Sequence, residues 1–245
     1  MRILLIEDDP HVAAALEMRL VRSGFNVQRT DMGEEGIDLA RHYPFDLVVL
    51  DLNLPDMPGH TVLRRLKLIG PRLPVLILTG DDRPETLMSC FELGADDWLA
   101  KPCHGDELVA RVRAIIRRTH GHVTPTLEIG DLSIDTETRE VRANGKPVPL
   151  TRREYQLVEL LALHRGNTVT KDAMLTHMYG GLEEPDGKII DVYVCKVRHK
   201  LDAVAPGLNA RIETAWGRGY ALKAPQEKSE RPAPPWPAPL QSQVA

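Results

Sequence analysis

The sequence predicts an α/β unit with a doubly wound parallel sheet, followed by a smaller α+β unit built on a helix-turn-helix. Three observations carry this. The run Leu47–Leu50 is apolar without alternation and is closed downstream by Pro55 and Pro58, the pattern of a strand buried on both faces of a parallel sheet. Comparable runs recur up to residue 118, with helical periodicity between them. Beyond that point the pattern changes to short segments separated by Gly130-Asp131 and Asn144-Gly145, then three helical stretches and a closing hairpin.

Taken in order, Ile3–Ile6 is the first strand, and Pro10–Ser23 a helix with Val12, Leu16 and Leu20 on one face, stopped at Gly24. Phe25–Thr30 alternates as a weaker strand, and Met32–His42 is amphipathic through Ile37 and Leu39. The strand Leu47–Leu50 leads to a helix around His60–Ile69, and the run Pro74–Leu78 to a helix over Pro84–Leu93 that ends at Gly94. Trp98–Ala100 is a short strand, and Asp106–Arg118 a helix turning Leu108, Val109, Val112, Ile115 and Ile116 inward. Residues 119–126 lack an apolar period and read as a linker. The second unit spans 127–223: a hairpin-rich sheet over Leu127–Leu150, a helix opened by the capping box of Thr151 and Glu154, helices starting near Thr170 and Asp186, and a hairpin over Arg211–Leu222. Residues 224–245 hold six prolines and are expected to be disordered.

Composition excludes several classes. No apolar stretch approaches the roughly 18 residues of a membrane span, and the acidic Glu7-Asp8-Asp9 follows too soon after Met1 for a secretory signal. Cys90, Cys103 and Cys195 form no CxxC pair, which argues against a zinc site and fits a reducing, cytoplasmic setting. Residues 1–118 hold 15 basic and 19 acidic side chains and residues 119–245 hold 16 of each, so nucleic-acid binding must rest on a local cluster.

The chemistry gathers at the strand ends. Glu7-Asp8-Asp9, Asp51, Thr79 and Lys101-Pro102 each follow an apolar run, and a doubly wound sheet brings such ends to one edge. A single Asp opening a loop is ordinarily just solvated. Three carboxylates together repel, and a hard divalent cation relieves them; Mg²⁺ takes oxygen ligands and a phosphate. An ammonium and a hydroxyl complete a site suited to a phosphoryl group, with a carboxylate able to act as nucleophile.

Residues 1–118 resemble a bacterial two-component receiver domain through the acidic pair, Asp51, Thr79-Gly80, Gly94-Ala95-Asp96-Asp97 and Lys101-Pro102. The resemblance implies a flavodoxin-like (βα)5 fold with Asp51 as phospho-acceptor. Mg²⁺ would be held by Glu7, Asp8, Asp51 and Asn53, the last through its carbonyl. Thr79 would be the switch hydroxyl and Lys101 the phosphoryl contact, with a cis Lys101–Pro102 bond. Trp98 stands at the aromatic switch, where the family has Tyr or Phe, and Cys103 where it has Phe. Asp96, Asp97, Glu107 and Arg111 match its dimer-interface positions, but Leu87 replaces the basic residue expected opposite Glu107.

In the second unit the helix near Asp186 is informative. At about 100° per residue, Ile190, Val194, Val197 and Leu201 form a buried stripe, with Lys188, Val192, Cys195, Lys196 and His199 opposite. Residues 188–200 hold four basic side chains against one acidic. A solvated charged face is the bland alternative, but a helix-turn-helix followed by a hairpin suits DNA. Residues 127–223 are similar to the winged-helix domain of the OmpR/PhoB subfamily of response regulators. The resemblance implies that Val192 and Lys196 face bases, that Lys188, Tyr193 and Arg198 mostly meet phosphates, and that Arg218 works from the wing. His199 and Lys200 join this DNA-binding set, and Trp216 occupies a wing position where many members have Arg.

The resulting expectation is a phosphorylation-activated regulator, binding double-stranded DNA. A histidine kinase or histidine phosphotransfer protein would donate to Asp51, receivers would pair as a homodimer, and two winged helices would engage repeated half-sites. The loop Gly180–Asp186, with Glu183-Glu184, is where family members touch the RNA polymerase sigma subunit. Two alternatives stand beside this: a regulator that works without phosphorylation, and a metal-dependent aspartyl phosphatase. The latter wants an acid two residues after its nucleophile, and Asn53 cannot protonate a leaving group.

Overall fold

The computed structural model describes residues 1–224 apart from 82, 165 and 181–184; the Pro-rich tail beyond Ala224 and the Glu183-Glu184 pair lie outside the described residues. The first unit runs β1 (Arg2–Ile6), α1 (Pro10–Arg22), β2 (Asn26–Thr30), α2 (Gly33–His42), β3 (Leu47–Asp51), α3 (Gly59–Ile69), β4 (Val75–Thr79), α4 (Pro84–Glu92), β5 (Asp97–Ala100) and α5 (Gly105–Thr119). Its strands are all parallel in the order β2-β1-β3-β4-β5, the flavodoxin-like order, whose ligand crevice lies between the carboxyl ends of β1 and β3.

Every residue of β1, β3 and β4 is buried, while the edge strand β2 is mostly half-buried. That is why the inner strands read as unbroken apolar runs and β2 does not. Alternation persists as a sorting between faces. Ile3, Leu5, Leu47, Val49, Leu76 and Leu78 pack with Leu16 and Leu20 of α1 and Val112 and Ile116 of α5. Leu4, Ile6, Val48, Leu50, Val75 and Ile77 pack instead with Ile37 of α2 and Val62, Leu63 and Leu66 of α3.

The second unit opens with a four-stranded antiparallel sheet: β6 (Thr126–Ile129), β7 (Leu132–Asp135), β8 (Val141–Ala143) and β9 (Lys146–Pro147). Asn144 (φ 50°) and Gly145 (φ 76°) make the two-residue turn between β8 and β9, with both central residues left-handed as the twist of a tight hairpin requires. Three helices follow, α6 (Arg152–Leu163), α7 (Lys171–Tyr179) and α8 (Lys188–Val204), then the hairpin β10 (Ile212–Ala215) and β11 (Gly219–Leu222). The predicted capping box is present at α6, where Thr151 and Glu154 satisfy each other's backbone N–H groups. α8 buries Ile190, Val194, Val197 and Leu201, the expected stripe. The core on the α1/α5 face runs without a break into this unit through Leu127, Leu132, Tyr155 and Leu157.

The start of α3 presses on the end of β3. A Cβ on Gly59 would lie 2.5 Å from Leu52 Cα and 2.6 Å from the Asp51 carbonyl oxygen, neither of which a side-chain rotation can move aside. Gly59→Ala should therefore destabilise the first unit by about 1–3 kcal/mol through overpacking. The check is a lower urea midpoint with an unchanged m-value.

Candidate functional site

β1 ends one residue before Glu7 and β3 ends on Asp51, so the sheet's switch point gathers the acids. One carboxylate oxygen each from Glu7, Asp8 and Asp51 lie within 4.8 Å of one another. Glu7 and Asp51 are buried and Asp8 is exposed, leaving one open side to the cluster. Asp9 does separate work: its carboxylate caps α1 by accepting from the N–H groups of His11 and Val12.

Lys101, just past β5, reaches across the sheet edge. Its ammonium lies 2.7 Å from the Glu7 carboxylate and 2.8 Å from Asp51 Oδ2. Burial raises the Glu7 pKa, and the Lys101 hydrogen bond only partly opposes this. For Lys101 burial works downward, but the hydrogen bonds it donates to Asp51 and Glu7, with their negative charge, outweigh this and hold the ammonium above its usual value. The Lys101–Pro102 bond is cis, as the resemblance implied.

Thr79 is buried at the end of β4. Its hydroxyl accepts from the Asp81 N–H at 2.9 Å and donates to the Asp81 carbonyl at 3.2 Å, so it is engaged with the β4–α4 loop. Trp98 is half-buried and packs on the α2–α4 face of the core. Asn53 is exposed, and its N–H donates to Asp51 Oδ1 at 3.2 Å. The donor set is all hard oxygen beside one ammonium, which fits Mg²⁺ and a phosphoryl group better than a softer metal.

The four dimer-interface positions divide. Arg111 pairs within its own chain, 2.9 Å from Asp97 and 2.8 Å from Glu107, on an accessible face of β5 and α5. Asp96 turns the other way: its carboxylate accepts from Lys67 at 2.9 Å and from the Val75 N–H at 2.9 Å, fastening α3 to β4.

α8 carries the second site. Lys188, Val192, Cys195, Lys196 and His199 are exposed on its outer face. Arg198 and Lys200, expected among the DNA contacts, are engaged inside the domain. The Arg198 guanidinium donates to the Ile212 carbonyl and to Thr214 Oγ1, pinning the wing to α8. Lys200 donates to Glu154 at 2.7 Å and to the Pro149 carbonyl at 2.8 Å. Burial alone would push Glu154 up, but the bonds from Lys200 and Thr151 prevail and hold its carboxyl low. Tyr193 stands beside the Tyr179 hydroxyl, at 3.3 Å. At the wing tip Arg218 is exposed, and Trp216 is 89% exposed.

Sequence reasoning missed a network that orients the wing. Asp191 accepts from Tyr220 at 2.6 Å and from Lys171 at 2.8 Å, joining β11, α8 and α7. The Lys171 bond, then the Tyr220 bond, lowers Asp191; burial first, then Asp191, pushes Tyr220 up to about 12. No one element signals this, because its three members lie 20 and 29 positions apart.

An α/β sheet with an acid–ammonium site at its switch point, joined to a helix-turn-helix and wing, has the build of a DNA-binding response regulator. The family models agree: residues 3–113 match the response regulator receiver domain, and residues 145–222 match the C-terminal domain of transcriptional regulatory proteins. The chain belongs to the response regulators with this pair of domains, and these are transcription regulators of the OmpR/PhoB type, not enzymes. It is 49% identical over 228 residues to the cell cycle transcriptional regulator CtrA of Caulobacter vibrioides, covering 93% of this chain and 98% of that one. It is likewise 49% identical over 233 residues to the cell cycle response regulator CtrA of Brucella anthropi, covering 95% and 100%. Among solved structures, the response regulator DrrB of Thermotoga maritima, an OmpR/PhoB homologue, is 28% identical with a TM-score of 0.45, covering 91% of this chain and 99% of that one.

Two lysines four residues apart on α8 separate the inner from the outer role. Lys200→Ala leaves the buried Glu154 carboxylate without its cation and should lower stability by about 1–3 kcal/mol. Lys196→Ala, on the exposed face, should stay within roughly 0.5 kcal/mol of the parent. Thermal melts of the two variants side by side check this.

Proposed function

We propose that the chain is a phosphorylation-activated, CtrA-like regulator of cell-cycle transcription, with Asp51 as the phospho-acceptor. The observation that carries the reading is the Lys101 ammonium held between Glu7 and Asp51 with Asp8 alongside. In this reading Asp51 attacks the phosphorus of a phosphohistidine on a histidine kinase or phosphotransfer protein. The P–N bond breaks, a P–O bond forms, and Lys101 is within reach of the charge on the transferred group. Glu7, Asp8 and Asp51, with the Asn53 carbonyl, are the residues that would hold Mg²⁺, which supplies neutralisation of the phosphoryl oxygens.

For its hydroxyl to meet the phosphoryl group, Thr79 must release the Asp81 backbone, freeing the loop before α4. Trp98, half-buried against the α2–α4 core, is the aromatic side chain that follows in this reading. The accessible face with Asp97, Glu107 and Arg111 is the surface for pairing receivers: Arg111 exchanges an intrachain partner for one across the dimer. Pairing raises the effective concentration of the second winged helix at a neighbouring half-site without new base contacts. On DNA, Val192 and Lys196 face the major groove, Lys188 and His199 flank it, and Arg218 works from the wing. Tyr193, Arg198 and Lys200 support that surface, with Arg198 and Lys200 acting mainly through their internal bonds. The segment after α7 is the candidate contact for the RNA polymerase sigma subunit. Among the described residues no helix is long and apolar enough to cross a membrane, consistent with work in the cytoplasm.

The test uses a small-molecule phosphodonor such as phosphoramidate with Mg²⁺. The parent chain should take up one phosphoryl group and bind DNA with repeated half-sites more tightly; Asp51→Asn should keep its circular dichroism and basal DNA binding but lose both responses. Removing Mg²⁺ with a chelator should abolish labelling of the parent. Labelling of Asp51→Asn at the parent's level would overturn the assignment.

A further inference from the structure

The end of the receiver opposite the acid site is docked on the winged-helix domain, and the contacts have a specific logic. α1 ends at Arg22, leaving carbonyls that have no intrahelical donor and that sit at the negative end of the helix dipole. The second domain supplies donors to one of them, at Val21, and to the carbonyls of the two residues just past the helix. Arg152 donates to the Val21 carbonyl at 2.9 Å, Arg139 to that of Ser23 at 3.4 Å, and the Gln156 amide to that of Gly24 at 2.9 Å. Arg113 of α5 completes the set, donating to the Ser23 carbonyl and across the seam to that of Glu137. Beside this cap the Asn26 amide donates to the His177 carbonyl at 2.6 Å, in the last turn of α7.

Arg152 stays exposed at the rim of this seam, but two of its polar residues are sealed from water. Gln156 is 1% and His177 6% exposed, and burial is the first reason that the His177 imidazole is held well below its usual pKa. A buried amide or imidazole without a partner is expensive, so the surface around Gln156 and His177 is built to be covered. The outer face of α8 lies elsewhere, with Lys188, Val192, Lys196 and His199 exposed in the same state.

We propose that the first two turns of α6 and the last turn of α7 form a docking surface for the receiver's α1 end, giving a closed form that keeps the DNA helix free while denying that surface to any other protein. The claim about DNA rests on the reading of α8 given above. Because the seam lies at the amino ends of the strands and Asp51 at a carboxyl end, closure and access to the phosphoryl site are compatible.

Asn26 and Gly180 mark the seam: a Cβ on Gly180 would lie 3.6 Å from Asn26 Cβ, within the roughly 3.5–4.5 Å that a disulfide spans. In a Cys103→Ser/Cys195→Ser background, Asn26→Cys/Gly180→Cys should form an intramolecular bond under mild oxidation, mapped by peptide mass. Neither single variant should do so. The DNA probes are random-sequence duplexes about three helical turns long, enriched by the parent chain. Oxidised and reduced forms should bind them equally. A folded double variant that does not cross-link overturns the docking. A cross-linked form about tenfold weaker on DNA, a loss of roughly 1.4 kcal/mol, overturns the claim that the DNA face stays free. Failure of the reduced form to bind DNA would instead indict the reading of α8.

Gly180 has φ +83°, where a side chain is strained, so a second measurement guards against misfolding. Small-angle scattering should give Arg139→Ala/Arg152→Ala/Gln156→Ala a larger radius of gyration than the parent, with unchanged circular dichroism. Equal radii overturn the proposal.

Discussion

The receiver depends on one electrostatic constraint: two buried carboxylates, Glu7 and Asp51, share the ammonium of Lys101. Each comes from a different strand, so the ion cluster is also a statement about register. Ionised carboxylates buried side by side repel strongly in a low dielectric, and a bridging cation converts that repulsion into attraction. The parallel sheet delivers the three groups to one point because β1, β3 and β5 all end at the same edge. The arrangement is tense even so, since Glu7 remains raised by its burial. The balance rests on that single ammonium, because no other cation bonds either carboxylate among the described residues.

The winged-helix domain divides its cations by a different rule. Lys200 points inward to Glu154, and Arg198 to the Ile212 carbonyl and Thr214 hydroxyl of the wing, whereas Lys188, Lys196 and Arg218 face solvent. Arg198 ties the wing to α8, Lys200 ties α8 to the start of α6, and the Lys171–Asp191–Tyr220 bonds fix the base of the wing from the other side. The exposed cations are therefore carried on a frame held by the inner ones. Net charge reveals neither, because the domain's acids and bases nearly cancel.

Much of this was legible in the sequence. Unbroken apolar runs announced β1, β3 and β4 because both faces of those strands are covered. Helical periodicity located α1, α5 and α8, and the Thr151–Glu154 pair announced α6. The acid site could be read because each of its members sits at the end of a recognisable strand. Roles that depend on where a long side chain turns were not legible: Arg198 and Lys200 share the composition of the exposed face, yet they sit one and three positions after Val197 of the buried stripe and fold back. Asp96 and Asp97 are adjacent in sequence but strand alternation sends them to opposite partners, Lys67 and Arg111. The capping of α1 by Arg139, Arg152 and Gln156 left no trace, since it joins residues more than a hundred positions apart.

The sorting of strand residues between the two faces of the sheet has a thermodynamic consequence. On the α2–α4 side the apolar cluster belongs to the receiver alone, whereas on the α1/α5 side it continues into the second domain. Heat or denaturant thus meets no clean boundary between the halves on that side. What coupling the two domains have in unfolding therefore passes through that side of the sheet and not through the α2–α4 side.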